Sequence, residues 1–187
     1  KLIKGDNWLR LVSPEPAVIG THFMGKDSAP AICIGKKKGC IQCKNNDEET
    51  DPKKKRSPPV RWLTWVIDRT DGSFRKLWMP YTVTQELGTL QQTKDYEFDT
   101  IPKYDINIKK VVEGDGTKPS DHSYKVIAAR TDSPLTDQEQ AQVNDLESPE
   151  SIVDKMKAKQ LQKYEEMGLV VSEEGDGVEE GVAQTDQ

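Results

Sequence analysis

The segment 60–79 constrains the fold more than any other part of this 187-residue chain. It contains two aromatic-rich, alternating runs, Val60–Asp68 and 74–79, separated by Arg69 and the turn Thr70-Asp71-Gly72-Ser73. β-Branched and aromatic residues favour strands, and an Asp-Gly pair tolerates the positive φ of a tight turn. The chain is therefore predicted to be built around an antiparallel hairpin.

Other short strands are predicted on both sides of this hairpin. Alternating patterns mark 8–12, 18–23, 104–112 and 122–129, with the last two forming a second hairpin, and a helix is expected over 81–91. Five or six short strands and one intervening helix give a mainly β (α+β) fold, a small antiparallel sheet or barrel. A five-stranded oligonucleotide-binding barrel fits that count, although the count alone does not choose it.

The residues after Arg130 favour helices and then disorder. Thr136 and Glu139 form a capping-box pattern, and Ser148-Pro149 starts a predicted helix over 149–167 that stops at Gly168. Beyond it lie six acidic residues and no Lys or Arg. The predicted organisation is a barrel over 1–133 with a metal subdomain at about 20–59, in which 45–59 is a flexible loop, then a helical extension over 134–168 and a disordered acidic tail over 169–187.

Charge is distributed unevenly between these parts. Residues 1–130 hold 23 Lys and Arg against 17 Asp and Glu, whereas 131–187 hold 4 against 15. A basic body suggests a polyanionic ligand, with the acidic tail as an intramolecular competitor or a docking handle for another protein, unless it is only a solvated end. No apolar run spans a membrane and no secretory signal precedes the body, so we expect a cytoplasmic protein without a membrane partner.

All three cysteines lie within eleven residues, and a histidine precedes them: His22, Cys33, Cys40 and Cys43. An odd number of thiols in an intracellular chain argues against a disulfide framework. Four donors of this kind match tetrahedral Zn²⁺, and the CxxC spacing lets two thiolates bind one ion from a tight turn. Zinc is therefore the predicted cofactor.

Alternatives to a structural zinc remain. The CxxC pair could be redox-active, but no apolar helical run follows it, and the thiols could also be incidental. His22 could simply be packed in its strand, with His122 as the one substitute ligand. A catalytic zinc would ordinarily bring a neighbouring Glu, as in H-E-x-x-H, and that pattern is missing, which favours a structural role.

The predicted hairpin combines aromatic and basic residues. Rings that stack on unpaired bases, together with cations that follow phosphates, are what sequence-tolerant single-strand binding requires. The alternative is that the rings fill the core. The candidate contacts are Lys36, Lys37, Lys38, Arg61, Trp62, Trp65, Phe74, Arg75, Lys76, Trp78, Tyr81 and Tyr104.

The metal quartet, the hairpin and strand over 61–87 and 104–110, and the acidic tail together resemble the zinc-containing single-stranded DNA-binding proteins of tailed bacteriophages, the helix-destabilising proteins of T-even type. The resemblance covers roughly 8–135, and the tail by character only. It implies an oligonucleotide-binding barrel that coats single strands in DNA replication, recombination and repair in the host cytoplasm, with a tail that contacts replication proteins. The basic N-terminal arm of that family has no clear counterpart here.

An enzyme is not expected, because the chain has two histidines and lacks a nucleophile motif, a Walker-type phosphate loop and a dinucleotide fingerprint. The predicted function is single-stranded DNA binding. The first alternative is a zinc-bearing protein-interaction or transcription-regulating module that binds through the helix over 149–167. The second, less favoured, is a zinc hydrolase or thiol oxidoreductase.

Overall fold

The computed structural model describes residues 2–13, 15–22, 31–55, 57–115 and 121–169. Except for Leu169, the predicted acidic tail lies outside these residues, as does the turn at 116–120. The strands are β1 (Trp8–Leu11), β2 (Ala17–His22), β3 (Ala31–Ile32), β4 (Val60–Asp68), β5 (Phe74–Pro80), β6 (Tyr104–Val112) and β7 (His122–Asp132). The α-helices are α1 (Ile41–Glu48), α2 (Tyr81–Gln91), α3 (Asp137–Asn144) and α4 (Pro149–Glu166), and a 3₁₀ turn covers Lys36–Lys38.

Strand β4 organises the sheet. β5 pairs along one of its edges, and its other edge is shared by β2, at Ala17↔Leu63, and β1, at Leu11↔Val66. β1 also pairs with β6, and β6 with β7; all the described pairings are antiparallel. The predicted antiparallel α+β fold is therefore confirmed at this level.

The seven strands of the described chain form an open sheet, so the closed five-stranded barrel that we expected is not observed. β5 and β7 do not pair with each other in the described residues. Helix α2 packs against β4, β5 and β7, which places a helix where a barrel would need direct hydrogen bonds between the two edge strands.

The sheet has a core on each face. The larger core lies between the sheet and α2, and its buried members include Leu9, Leu11, Val66, Leu77, Met79, Val83, Leu87, Ile106, Ile108 and Val126. On the opposite face of β4, Ile152 and Val153 of α4 pack against Ile19 and Leu63. The two faces of β4 alternate as a strand requires, with Val66 in the first core and Leu63 in the second.

Several local predictions are confirmed. Gly72 has φ 71° in the hairpin turn, the Thr136–Glu139 capping box forms, and Ser148 caps α4 by accepting a hydrogen bond from the Ser151 amide. The loop predicted from residue 45 is wrong at its start, because α1 continues to Glu48. That helix buries no side chain completely, so it has no apolar stripe by which periodicity could reveal it.

No helix among the described residues is both long enough and apolar enough to cross a membrane.

Candidate metal centre and nucleic-acid interface

The four predicted metal ligands converge. The ligand atoms of His22, Cys33, Cys40 and Cys43 all lie within 4.8 Å of one another. The Nε2 of His22 is 3.3 Å from Cys40 Sγ and 3.6 Å from Cys43 Sγ, and the Sγ atoms of Cys33 and Cys43 are 3.5 Å apart. Tetrahedral zinc bonds would hold such atoms at about 3.3–3.8 Å. The donors therefore have the spacing of a four-coordinate site.

Four short elements position these ligands. His22 ends β2 and pairs with Ala31, and Cys33 follows β3 with its amide bonded to the Gly20 carbonyl at 2.9 Å. Gly39, with φ 73°, ends the 3₁₀ turn, and Cys40 is the N-cap of α1. The CxxC pair therefore does begin a helix, which its sequence did not indicate. Because His22 Nε2 lies within 3.6 Å of both CxxC sulfurs and Cys33 Sγ lies 3.5 Å from one of them, the arrangement fits a metal quartet better than a dithiol.

Burial shifts the pKa values of two of these four ligand residues, Cys43 and His22. It raises the pKa of the Cys43 thiol to about 12, with added contributions from Cys33 and Cys40, and it lowers the pKa of His22. Three thiolates this close together need a cation to balance their charge, and a bound divalent ion deprotonates coordinating thiols. The residues present thus fit a metal ion, and their soft donor set fits Zn²⁺.

The end of α4 closes over this cluster. Tyr164 is buried together with Ile34 and Cys40, and its hydroxyl donates a hydrogen bond to Oε1 of Gln42. Cys33, Cys43 and Leu161 pack around them. The metal ligands therefore share a small core with the C-terminal helix.

A cleft of about 370 Å³ opens between edge strand β5 and the β6–β7 hairpin. Its walls combine three cationic side chains with two aromatic rings and a proline: Arg61, Lys76, Lys110, Trp78, Tyr124 and Pro80. Lys110 and Tyr124 are register partners, so the hairpin presents a cation and a ring side by side. We call this feature the β5–β7 cleft.

Three predicted nucleic-acid contacts, Arg61, Lys76 and Trp78, meet in the β5–β7 cleft. Tyr81 lies next to Pro80, is 57 % exposed, and has its ring centroid 5.9 Å from that of Trp62. Trp62 itself packs against the larger core. The three lysines of the 3₁₀ turn lie beside the metal ligands instead, and one of them, Lys36, is ion-paired with Asp47 at 2.5 Å.

Tyr104 was predicted to contact nucleic acid, and this prediction is corrected because its side chain lies in the core. Its side chain is 5 % exposed, its hydroxyl donates to the Tyr96 carbonyl at 2.7 Å, and the rings of Tyr96 and Phe98 pack edge-on against it. No face of this ring is left for a base. The alternation of β6 puts Tyr104 on the same side as Ile106 and Ile108.

Other hairpin candidates are engaged within the protein. The Trp65 indole Nε1 donates to the Glu147 carbonyl at 2.8 Å, and Lys76 Nζ lies 5.1 Å from its ring centroid. Arg75 forms ion pairs with Asp68 and Asp71 around the hairpin turn. Phe74 is half-buried beside that turn, opposite Ile67.

Lys110 and Tyr124 were missed by the sequence reasoning. The signal that could have found them is the register of the second hairpin, which places a cation opposite a ring. The ring of Tyr124 lies on the β6–β7 side, so the cleft has an aromatic residue on each of its two walls, Trp78 and Tyr124.

Comparisons with protein-family models, curated proteins and solved structures find no match. Function is therefore inferred from the metal cluster and the β5–β7 cleft.

Proposed function

We propose that this chain is a non-enzymatic single-stranded DNA-binding protein that uses a structural zinc ion. The observation that supports this most is the β5–β7 cleft, where Trp78 and Tyr124 meet Arg61, Lys76 and Lys110. Unpaired bases stack on such rings, and the cations follow the phosphates. Because duplex bases already stack on each other, the same groups discriminate in favour of single strands.

The metal cluster supports a structural rather than a catalytic ion. His22 and the three cysteines would fill all four positions of a tetrahedral shell, whereas a catalytic zinc keeps one position open for water. The ion would join β2, β3 and α1, which share few buried apolar side chains, and a small core of this kind benefits from a metal. Its part in DNA binding is to fix the Lys36–Lys38 turn near the sheet.

The wider role belongs to the same proposal and rests on the resemblance to the phage proteins. In it the protein coats and protects single strands during replication, recombination and repair. The acidic tail over 169–187 regulates binding or recruits replication and recombination proteins. The basic body and acidic end of the sequence are compatible with both roles for the tail.

The proposal is tested by titrating the full chain with oligo-dT and with a duplex of equal length while following tryptophan fluorescence. We expect quenching and tight binding with oligo-dT, weak binding with duplex, and a log-log salt slope of about −0.7 for each phosphate neutralised. Metal analysis should find one zinc per chain. If oligo-dT neither quenches nor binds, the proposal is wrong and the protein-interaction alternative is favoured.

A further inference from the structure

The face of β1, β6 and β7 opposite the larger core carries an exposed apolar row. Trp8, Asn107 and Ile127 are register partners across the three strands. Trp8 is 42 % exposed and Ile127 is 40 % exposed, while Asn107 between them is buried. Neither of the two sheet cores of the described chain includes these side chains. We call this surface the outer face.

Two lysines form the next row of the outer face. Lys109 and Lys125 are register partners, and both are exposed. Among the described residues, no ion pair joins either lysine to a carboxylate. The carboxylate of Asp6 accepts a hydrogen bond from Asn107 in the neighbouring row. Like charges directly opposite each other destabilise a sheet. An anion bound from outside the fold would relieve this repulsion.

We propose that the outer face is a second contact for single-stranded nucleic acid, which continues from the β5–β7 cleft over the edge strand β7. Tyr124 lines the cleft and the next residue, Lys125, lies on the outer face, so the two surfaces meet at one strand. In this arrangement Lys125 and Lys109 contact phosphates, and Trp8 stacks on a base. The inference rests on the proposed function and extends its binding site.

The distance across the outer face predicts how affinity should depend on oligonucleotide length. The path from β7 to β1 crosses two strand spacings, about 10 Å. At about 3.4 Å per nucleotide, the spacing of one strand in a duplex, that distance corresponds to at most about three nucleotides beyond those held in the cleft, and to fewer when the bound strand is extended. Contacts on the outer face should therefore contribute to long oligonucleotides and not to the shortest ones.

The test compares Lys109→Gln/Lys125→Gln with the matched control Lys159→Gln/Lys163→Gln, which removes the same charge from α4. Each is titrated with oligo-dT from about 4 to about 16 nucleotides, the span of one such binding site. With the long oligonucleotides the outer-face variant should bind more weakly, with a salt slope shallower by about 1.4, because two phosphate contacts are lost. With the shortest it should match the control. Thermal melting confirms that both variants are folded.

A second variant, Trp8→Ala, should weaken binding to the long oligonucleotides by at least about fivefold and leave the shortest unaffected. If the outer-face variants match the control at every length while Tyr124→Ala weakens binding at all lengths, the inference is overturned and the proposed function stands. If the unmodified chain binds no oligonucleotide, the proposed function itself fails. Selective loss of polyglutamate binding by the lysine variant would instead assign the face to acidic proteins and overturn the inference.

Discussion

The hydroxyl of Tyr164, in the last turn of α4, hydrogen-bonds Oε1 of Gln42, the residue that lies between Ile41 and Cys43 in the CxxC segment. At its other end α4 packs Ile152 and Val153 against the sheet. One helix thus connects the metal cluster to the sheet. We therefore expect the binding or loss of a metal ion to change the stability of the sheet as well as that of the four ligand residues.

Removing the metal should destabilise the whole protein. Without a cation, His22, Cys33, Cys40 and Cys43 lose the common partner that would join β2 and β3 to α1. We expect a chelator to lower the melting temperature, with a loss of several kcal/mol in unfolding free energy, since structural zinc contributes about 10–16 kcal/mol in small zinc domains. Cys40→Ser should reproduce this effect and abolish zinc in metal analysis. Identical melting curves with and without chelator would contradict the structural role.

Two substitutions of Tyr164 distinguish the contribution of its packed ring from that of its hydrogen bond at the end of α4. Tyr164→Phe keeps the buried ring and should cost about 1 kcal/mol of unfolding free energy, the contribution of one hydrogen bond. Tyr164→Ala empties a space beside Ile34 and Cys40 and should cost about 3–5 kcal/mol, as for other large aromatic truncations. Urea unfolding measures both. Equal effects of the two substitutions would mean that the ring does not anchor α4.

The β5–β7 cleft should be the main determinant of oligonucleotide affinity. Tyr124→Ala removes a stacking ring and should weaken oligo-dT binding by about 1–3 kcal/mol. Lys110→Gln should make the salt slope shallower by about 0.7. Fluorescence titration at several salt concentrations measures both effects, with Lys94→Gln, an exposed loop lysine, as the charge control. Parent-like affinity in both variants would exclude this cleft as the binding site.

Trp65 should affect stability and not DNA affinity. Its indole is engaged with the Glu147 carbonyl, just before α4, and Lys76 lies over its ring. Trp65→Phe leaves that carbonyl without its donor and should cost about 1 kcal/mol in unfolding free energy. Oligo-dT affinity, measured by anisotropy of a labelled oligonucleotide, should stay unchanged. A weaker complex would show that α4 moves aside and that this face binds the strand.

The parts of the fold that depend on local chemistry could be predicted from the sequence. The hairpin turn at Gly72, the cap of α4 at Ser148 and the metal spacing are all encoded within a few residues. Strand order could not be predicted from the sequence. Both β1 and β2 pair with the same edge of β4, and α2 packs against β5 and β7 where a closed barrel would have hydrogen bonds between strands. These features depend on contacts between distant segments.

The sequence also could not predict which aromatic residues lie in the core and which lie on the surface. Tyr104 and Tyr124 both lie in alternating strands, and both point toward the larger core side of the sheet. Tyr104 is buried because the loop that carries Tyr96 and Phe98 packs over its ring. In the described part of the chain no such loop covers Tyr124, which lines the β5–β7 cleft beside Lys110. Periodicity identifies a face of a strand, but it does not identify what covers that face.

The contact between α3 and the sheet should depend on pH. Arg69 donates to Glu139 Oε1 at 2.6 Å and to Asp105 Oδ1 at 3.0 Å, and Glu139 also completes the Thr136 capping box. Burial alone raises the pKa of Glu139, but hydrogen bonds from the Thr136 backbone and from Arg69 outweigh burial and hold the pKa below its ordinary value. A depressed carboxyl pKa stabilises the folded state above the unfolded value, about 4.3, and this stabilisation is lost as the pH falls through the folded value.

Glu139→Gln should therefore lower the unfolding free energy by about 1.5–3 kcal/mol at pH 7, the range for a hydrogen bond to a charged group. The difference from the unmodified chain should shrink steadily below about pH 4, where the native carboxyl becomes protonated as well. Urea unfolding at a series of pH values measures this, with Glu86→Gln, an exposed position on α2, as the control that should show little change at any pH. A Glu139→Gln effect of constant size from pH 7 to pH 3 would contradict the ion pair, because a loss that does not titrate cannot come from the charge of this carboxylate.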